Sequence, residues 1–217
     1  KNNIIYTVIF CFVITFVCVF FLALTNVGTV DLVRENQQIV ANRAVLNALG
    51  IAYDPDDRND IIEKFDGVET ATSGDFTYYT SQDSGSQSGE TQGSGENIYA
   101  LRTQGPGLWG TIEVVIGFNA DLTRFTGLEI INQSETPGLG GRIDEDWFKE
   151  QFRDQAISAE IMAGGSMELG ASGSGAADEP DDNMIDAITG ATVTSNSMKA
   201  IVSQAVRDIN TILGGDL

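Results

Sequence analysis

Three glycine-rich clusters hold the polar residues whose types and spacing could do chemistry. They are Gly105-Pro106-Gly107-Leu108-Trp109-Gly110, Glu135-Thr136-Pro137-Gly138-Leu139-Gly140-Gly141, and the run from Asp186 through Thr189-Gly190-Ala191-Thr192-Val193-Thr194 to Ser195. The first reads as a turn entering a strand, with Trp109 as core. The second reads as a turn leaving a strand, its glycines allowing left-handed backbone. The third is a loop leading into a helix N-terminus, where free N–H groups and the helix dipole favour an anion. A phosphate suits that place, although the Lys and the spacing of a Walker loop are missing. On the residues alone an anion site and a plain capping turn stay equally open. Ser195 is a candidate N-cap, and Thr194 and Ser195 serve as caps as readily as phosphate contacts.

What is missing narrows the chemistry further. The 217 residues include no histidine and only two cysteines, Cys11 and Cys18, both inside one apolar run. That excludes Ser-His-Asp or Cys-His catalysis, a His-ligated metal, a cysteine zinc site and a disulfide framework in the polar part of the chain. We expect no catalytic acid, base or nucleophile and no metal. With 12 basic and 31 acidic residues the net charge is −19, which excludes a nucleic-acid binder held by phosphate contacts.

The elements that must position the clusters follow from hydropathy. Ile4 to Leu24 is 21 residues without Gly, Pro or charge, enough to cross a hydrocarbon core of about 30 Å as a helix. A cleaved signal peptide has a shorter apolar core and an A-x-A site, which this run lacks. We therefore expect a retained transmembrane anchor over residues 1–28. Lys1 before it and acidic sequence after it place the N-terminus in the cytoplasm and the body outside. Residues 25–217 keep eleven basic and all 31 acidic residues, a net charge of −20. One reading of that surface is adaptation to high salt; folding that is equally good in dilute buffer and molar salt would contradict it.

Residues 29–66 read as a helical stalk and connector. A helix stops at Gly50, a turn lies at Asp54-Pro55, and a short helix covers Ile61 to Phe65. Residues 67–217 read as one α+β body. Phe76 to Thr80, Ile98 to Thr103, Thr111 to Asn119 and Phe125 to Asn132 are strands, with Ile112, Val114, Ile116 and Phe118 on one face by period two. Asp146 to Asp154 is a short helix burying Trp147, Phe148 and Phe152. Acidic loops cover 81–97 and 164–183. Met198, Ile201, Val202, Ala205, Ile209, Ile212 and Leu213 mark an amphipathic C-terminal helix.

Three motifs carry a resemblance. Asp186-x-x-Thr189-Gly190-Ala191-Thr192 resembles the flavinylation motif of proteins that carry FMN on a threonine phosphoester, and Glu135-Thr136-Pro137-Gly138-Leu139-Gly140 resembles the second signature of that FMN-binding domain. Gly107-Leu108-Trp109 and Asp146-Trp147-Phe148 are similar to runs in the C subunit of the Na+-translocating NADH:quinone reductase (NqrC). The related G subunit of the Rnf ferredoxin:NAD complex (RnfG) shares the anchor and the other two motifs. The likeness covers most of Ile98 to Asn210. It departs at Thr189, where Ser is commoner, at Gly110, and in the two acidic loops. The C subunit is favoured on Gly107-Leu108-Trp109 and Asp146-Trp147-Phe148.

The resemblance implies that Thr192 carries covalent FMN through a phosphoester. It further implies that Thr189, Gly190 and Ala191 shape the acceptor loop, that Trp109, Glu135, Thr136, Leu139 and Gly140 contact the flavin with Thr194 near its phosphate, and that Asp186 is part of what a flavin transferase recognises. The implied role is an electron-relay subunit of a membrane Na+-translocating NADH:quinone oxidoreductase, without turnover from this chain alone. Other membrane subunits, the transferase and the lipid bilayer are its partners, the inner membrane is its place, and ubiquinone is the acceptor of the whole complex. The alternatives are the Rnf G subunit, a free-standing exported flavin carrier, and a cofactor-free anchored binding module.

Overall fold

The computed structural model describes residues 2–74, 76–82, 97–175 and 183–214. Contacts divide the chain into two units, Lys1–Val40 and Ala41–Leu217. The first belongs to helix α1 (Asn2–Ala48), which is long and apolar enough to cross a membrane, with a mean hydropathy of 2.9 over its most apolar window. Large side chains from Ile4 to Leu24 are exposed along it, as expected of a segment whose solvent is lipid.

The second unit takes in the end of the expected stalk. Ala44, Val45, Leu46, Ala48 and Leu49 are buried, and Gly50 ends the helix with φ +68°, the left-handed stop that glycine tolerates. Helix α2 (Arg58–Asp66) starts earlier than expected because the Asp57 side chain accepts from the Asn59 N–H as an N-cap.

Five strands form an antiparallel sheet in sequence order: β1 (Glu69–Ser73), β2 (Phe76–Gln82), β3 (Asn97–Pro106), β4 (Thr111–Phe118) and β5 (Phe125–Asn132). Strand β1 escaped the sequence reading because Glu-Thr-Ala-Thr-Ser has no apolar alternation. It is an edge strand with little to bury. The register pairs Leu101 with Ile116 and Ile116 with Leu128. These residues, with Ile112, Val114 and Phe118, form a dry face against helix α5 (Thr192–Ile212) through Met198, Ile201, Val202, Ala205 and Ile209. The period-two and period-three-four expectations thus meet in one core.

The opposite face carries Tyr79, Ala100, Gly117 and Gly127, opposite one another in the register. Here the end of α1 docks: a Cβ on Gly117 would lie 2.0 Å from the Ala48 carbonyl oxygen. Thr126 Oγ1 donates to that same oxygen at 2.5 Å, and Asn47 Nδ2 donates to Glu129 at 3.2 Å. Phe65 of α2 meets the Tyr79 ring edge-on.

Several expectations need correction. The helix over 146–154 is shorter, α3 (Asp146–Glu150), and Asp154 turns left-handed at φ +62°. Phe148 and Phe152 are fully buried there, but Trp147 is only half-buried; its edge meets Phe148, and the Arg142 guanidinium sits 5.1 Å from its ring centroid. Helix α4 (Ala159–Met162), capped by Ser158, was not foreseen. Within the expected loop 164–183, Glu168–Gly170 is strand β6, parallel to β7 (Met184–Asp186). A three-residue pair has too little pattern to read. Residues 83–96 and 176–182 of the two acidic loops lie outside the described residues.

Candidate functional site

The sheet register brings the first two clusters together. Pro106 pairs with Thr111, so residues 107–110 are the β3–β4 turn, closed by the Gly107 N–H donating to the Gly110 carbonyl at 2.7 Å. Glu113 pairs with Asn132, so the chain leaving β5 passes beside that turn. Gln133 then accepts from the Glu135 N–H at 2.6 Å and donates to Asp144 at 2.8 Å, bracing the 135–141 loop. A 3-10 turn (Gly140–Asp144) closes it.

Glu135 is buried, and its carboxylate joins all three clusters. Oε1 accepts from the backbone N–H groups of Leu108 at 2.8 Å and Trp109 at 3.1 Å. Oε2 accepts from the Thr194 hydroxyl at 2.5 Å. Bonds to an ionised acceptor are stronger than neutral ones, and burying a carboxylate requires such donors. Glycine makes room: a Cβ on Gly107 would sit 2.5 Å from Glu135 Oε1, and one on Gly140 would sit 2.5 Å from Thr194 Oγ1. Gly190, at φ +76°, brings the third cluster against Leu139, whose Cδ2 would lie 3.1 Å from a Cβ there.

Helix α5 begins at Thr192 with Ala191 as its N-cap residue, so Ser195 is not the cap. The Ser195 hydroxyl is buried and works one turn lower, accepting from the Ile188 N–H and donating to the Ala191 carbonyl, both at 3.0 Å. It thereby fixes the 188–191 turn. Thr194, also buried, is held by Glu135. In the first turn of α5 this leaves Thr192 with an exposed hydroxyl that has no hydrogen-bond partner among the described residues. The N–H groups of Thr192, Val193 and Thr194 precede the first intrahelical donor, the Ser195 N–H bonded to the Ala191 carbonyl at 2.9 Å, so they are the orphan donors of a helix start. Thr189 is exposed just before it.

Trp109 is not core. It is 70% exposed and held only at its edge, where Nε1 donates to Thr136 Oγ1 at 3.0 Å. Leu108, Leu139 and Val193 are also exposed, at 51%, 43% and 52%. Apolar groups standing out around a fixed polar frame mark a surface made to be covered by a ligand or partner. Leu108 and Val193 escaped the sequence reading; the signal was a large apolar residue inside a glycine turn and another at a helix start.

Asp186 stands apart from this corner. It is buried at the end of β7, where its Oδ1 accepts from the Ser174 hydroxyl at 2.5 Å and its N–H donates to Gln151 Oε1 at 2.5 Å. Gln151, Ser174 and Gln133 were not singled out from the sequence, because polar support residues have no spacing of their own. A groove of about 960 Å3 runs along the outer side of α5 from Val193 to Arg207. It touches neither Glu135, Trp109 nor Thr136. Among the described residues no group of His, Cys, Asp and Glu has the arrangement of a metal site. What the corner offers is an anion position at a helix start, one available hydroxyl and a group of exposed apolar side chains. Those features fit a phosphate-bearing aromatic cofactor.

Comparison with known proteins agrees. Residues 107–207 match the FMN-binding domain family. The chain is 30% identical over 203 residues to the G subunit of the Na+-translocating ferredoxin:NAD+ oxidoreductase complex of Acetobacterium woodii, covering 90% of this chain and 86% of that one. It is 29% identical over 117 residues to the G subunit of the proton-translocating ferredoxin:NAD+ oxidoreductase complex of Clostridium ljungdahlii, covering 54% of this chain and 56% of that one, so it spans about half the length of that relative. The crystal structure of the C subunit of the Na+-translocating NADH-quinone reductase from Parabacteroides distasonis superposes with a TM-score of 0.63 at 18% identity, over 83% of this chain and 94% of that one, and shares its fold. The chain belongs to the family of FMN-binding subunits that includes the G subunits of the ferredoxin:NAD+ complexes and NqrC.

Proposed function

We infer that this chain is a membrane-anchored electron-relay subunit of an ion-translocating oxidoreductase, carrying FMN as a phosphoester on Thr192. The observation that supports it most is the exposed, unengaged Thr192 hydroxyl at the start of α5, beside a corner whose apolar side chains point outward. FMN, when bound, supplies the acceptance and donation of electrons.

The chain's own residues hold and orient. The orphan N–H groups of the first turn of α5 would hold a phosphate carried on Thr192. Leu108, Trp109, Leu139 and Val193 offer the surface for the ring, and Thr136 keeps the indole in place. A body of net charge −20 holds a free anion poorly, and a covalent ester removes that dependence. Glu135, whose two carboxylate oxygens accept from Leu108, Trp109 and Thr194, would hold together the segments that carry the flavin. Asp186, being buried, shapes the acceptor loop through β7, and a flavin transferase would read that loop. Helix α1 anchors the chain as a single span among partner subunits, with the N-terminus cytoplasmic and residues 41–217 on the outer side of the inner membrane.

The quinone-reductase reading, with Na+ as the coupling ion and ubiquinone as acceptor, rests on Gly107-Leu108-Trp109 and Asp146-Trp147-Phe148. The Rnf reading is favoured by the 203-residue match to a G subunit. Proteins that co-purify with the chain decide between them: quinone-reductase subunits support the first, ferredoxin-oxidising subunits the second. The flavin itself is tested by coexpression with a flavin transferase and fluorescence of the denatured chain in a gel. Thr192→Val is expected to abolish the signal; a signal that survives would contradict the attachment.

A further inference from the structure

We propose that Glu135 is a positioning residue that fastens the Trp109 turn and the first turn of α5 to the 135–141 loop through one buried carboxylate, so that the exposed indole and Thr192 are held in a fixed relation. The functional meaning of this fastening rests on the flavin reading above. The fastening itself rests on geometry already described.

The three segments share few other ties. The 107–110 turn is a hairpin loop whose own closure is the single Gly107–Gly110 bond. Its apolar residues, Leu108 and Trp109, point outward, so packing does not fix them. Their backbone N–H groups both end on Glu135 Oε1. On the other side, the first turn of α5 has no side-chain cap. Thr194 meets Glu135 Oε2, and Leu139 lies against Gly190. Removing the carboxylate leaves two backbone donors and one hydroxyl without their acceptor in a space that two missing Cβ atoms were needed to open. The Trp109 Nε1–Thr136 bond and the Leu139–Gly190 contact would remain, so the segments would be loosened at their backbones and not freed.

Charge is not what the role requires; acceptor geometry is. A glutamine at this position keeps one oxygen for the two N–H groups, and its amide can donate to the Thr194 hydroxyl, which accepts as well as donates. The conservative variant should therefore restore part of what alanine loses.

The test uses the full chain without flavin, so its outcome does not depend on whether Thr192 is modified. Backbone hydrogen exchange is followed for wild type, Glu135→Ala and Glu135→Gln, together with emission anisotropy of Trp109 in a Trp147→Phe background. In Glu135→Ala the Leu108 and Trp109 amides are expected to exchange roughly 10- to 100-fold faster, the loss corresponding to bonds with a charged acceptor. Indole anisotropy should fall while the β4 and β5 amides keep their protection. Glu135→Gln should return part of that protection at Leu108 and Trp109, stopping short of wild type because a neutral acceptor bonds about half as strongly as a charged one. Unchanged exchange at Leu108 and Trp109 in the alanine variant would overturn the proposal. So would an equal loss of protection across β4 and β5 in both variants, which would make Glu135 a general core residue. Should the alanine variant not fold, Thr194→Val takes its place. Faster exchange at the Ser195 and Asn196 amides is then the expected result, and unchanged exchange there overturns the link to α5. A missing flavin adduct with these exchange results intact would sink the flavin reading and leave the fastening standing.

Discussion

Among the places in the folded body that depend on a missing Cβ, the one at Gly117 and the one at Gly107 and Gly140 use it differently. At Gly117 the neighbour is backbone: the Ala48 carbonyl comes within 2.0 Å of where a Cβ would be, and Thr126 Oγ1 within 2.1 Å. Around it Val45, Leu46 and Leu49 are buried, so the apolar surface is covered by the chain itself. At Gly107 and Gly140 the nearest atoms are the ends of the Glu135 and Thr194 side chains. Outside them Trp109, Leu108, Leu139 and Val193 remain exposed. The notch at Gly117 completes its packing internally and serves stability. The corner at Glu135 completes only its polar bonds and leaves its apolar surface for something else to cover, the mark of a site.

The comparison can be broken from either side. The largest effect is expected at the notch: Gly117→Ala forces backbone apart and should cost about 3 kcal/mol or more in urea unfolding of the chain. A cost under about 1 kcal/mol would mean that the end of α1 is not packed as described. Thr126→Val strands the Ala48 carbonyl and should cost about 1–3 kcal/mol in the same assay. At the corner the order reverses. Trp109→Ala removes an exposed ring and should change stability by no more than about 0.5 kcal/mol, yet it should alter the absorption spectrum of the flavinylated chain. An unaltered spectrum would take Trp109 out of the site.

The smallest effect lies in the β4–β5 turn. The Thr123 hydroxyl, and then its backbone N–H, hold the Asp121 carboxyl below its ordinary range. An acid lowered on folding stabilises above its unfolded pKa and loses that contribution as pH falls through the folded value. Wild type should therefore lose slightly more melting temperature than Asp121→Asn between about pH 5 and pH 3, and parallel curves would contradict this.

Sequence reading succeeded where one face must be dry. Ile112, Val114, Ile116 and Phe118 announce a strand, and Met198 to Ile209 announce the helix covering it, because burial imposes a period. It failed where burial imposes nothing: β1 is a polar edge, and β6 with β7 is too short to show a pattern. Trp109 illustrates the limit at the site. A tryptophan beside a strand is read as core unless the direction of the turn is known, and that direction is set by Glu135, 26 residues away. In the sequence Thr194 and Ser195 are equivalent hydroxyls. Only the fold shows one bonded to Glu135 and the other to the Ile188 N–H. The motifs point to this corner through resemblance, while its support from Gln133 carries no spacing to read.

The most direct test is the mass of the chain isolated under denaturing conditions from its own membrane, intact and as peptides. The account predicts one FMN phosphoester on the peptide containing Thr192, localised to that residue and not to Thr189 or Thr194. An unmodified chain, with all flavin released into the detergent, would contradict it.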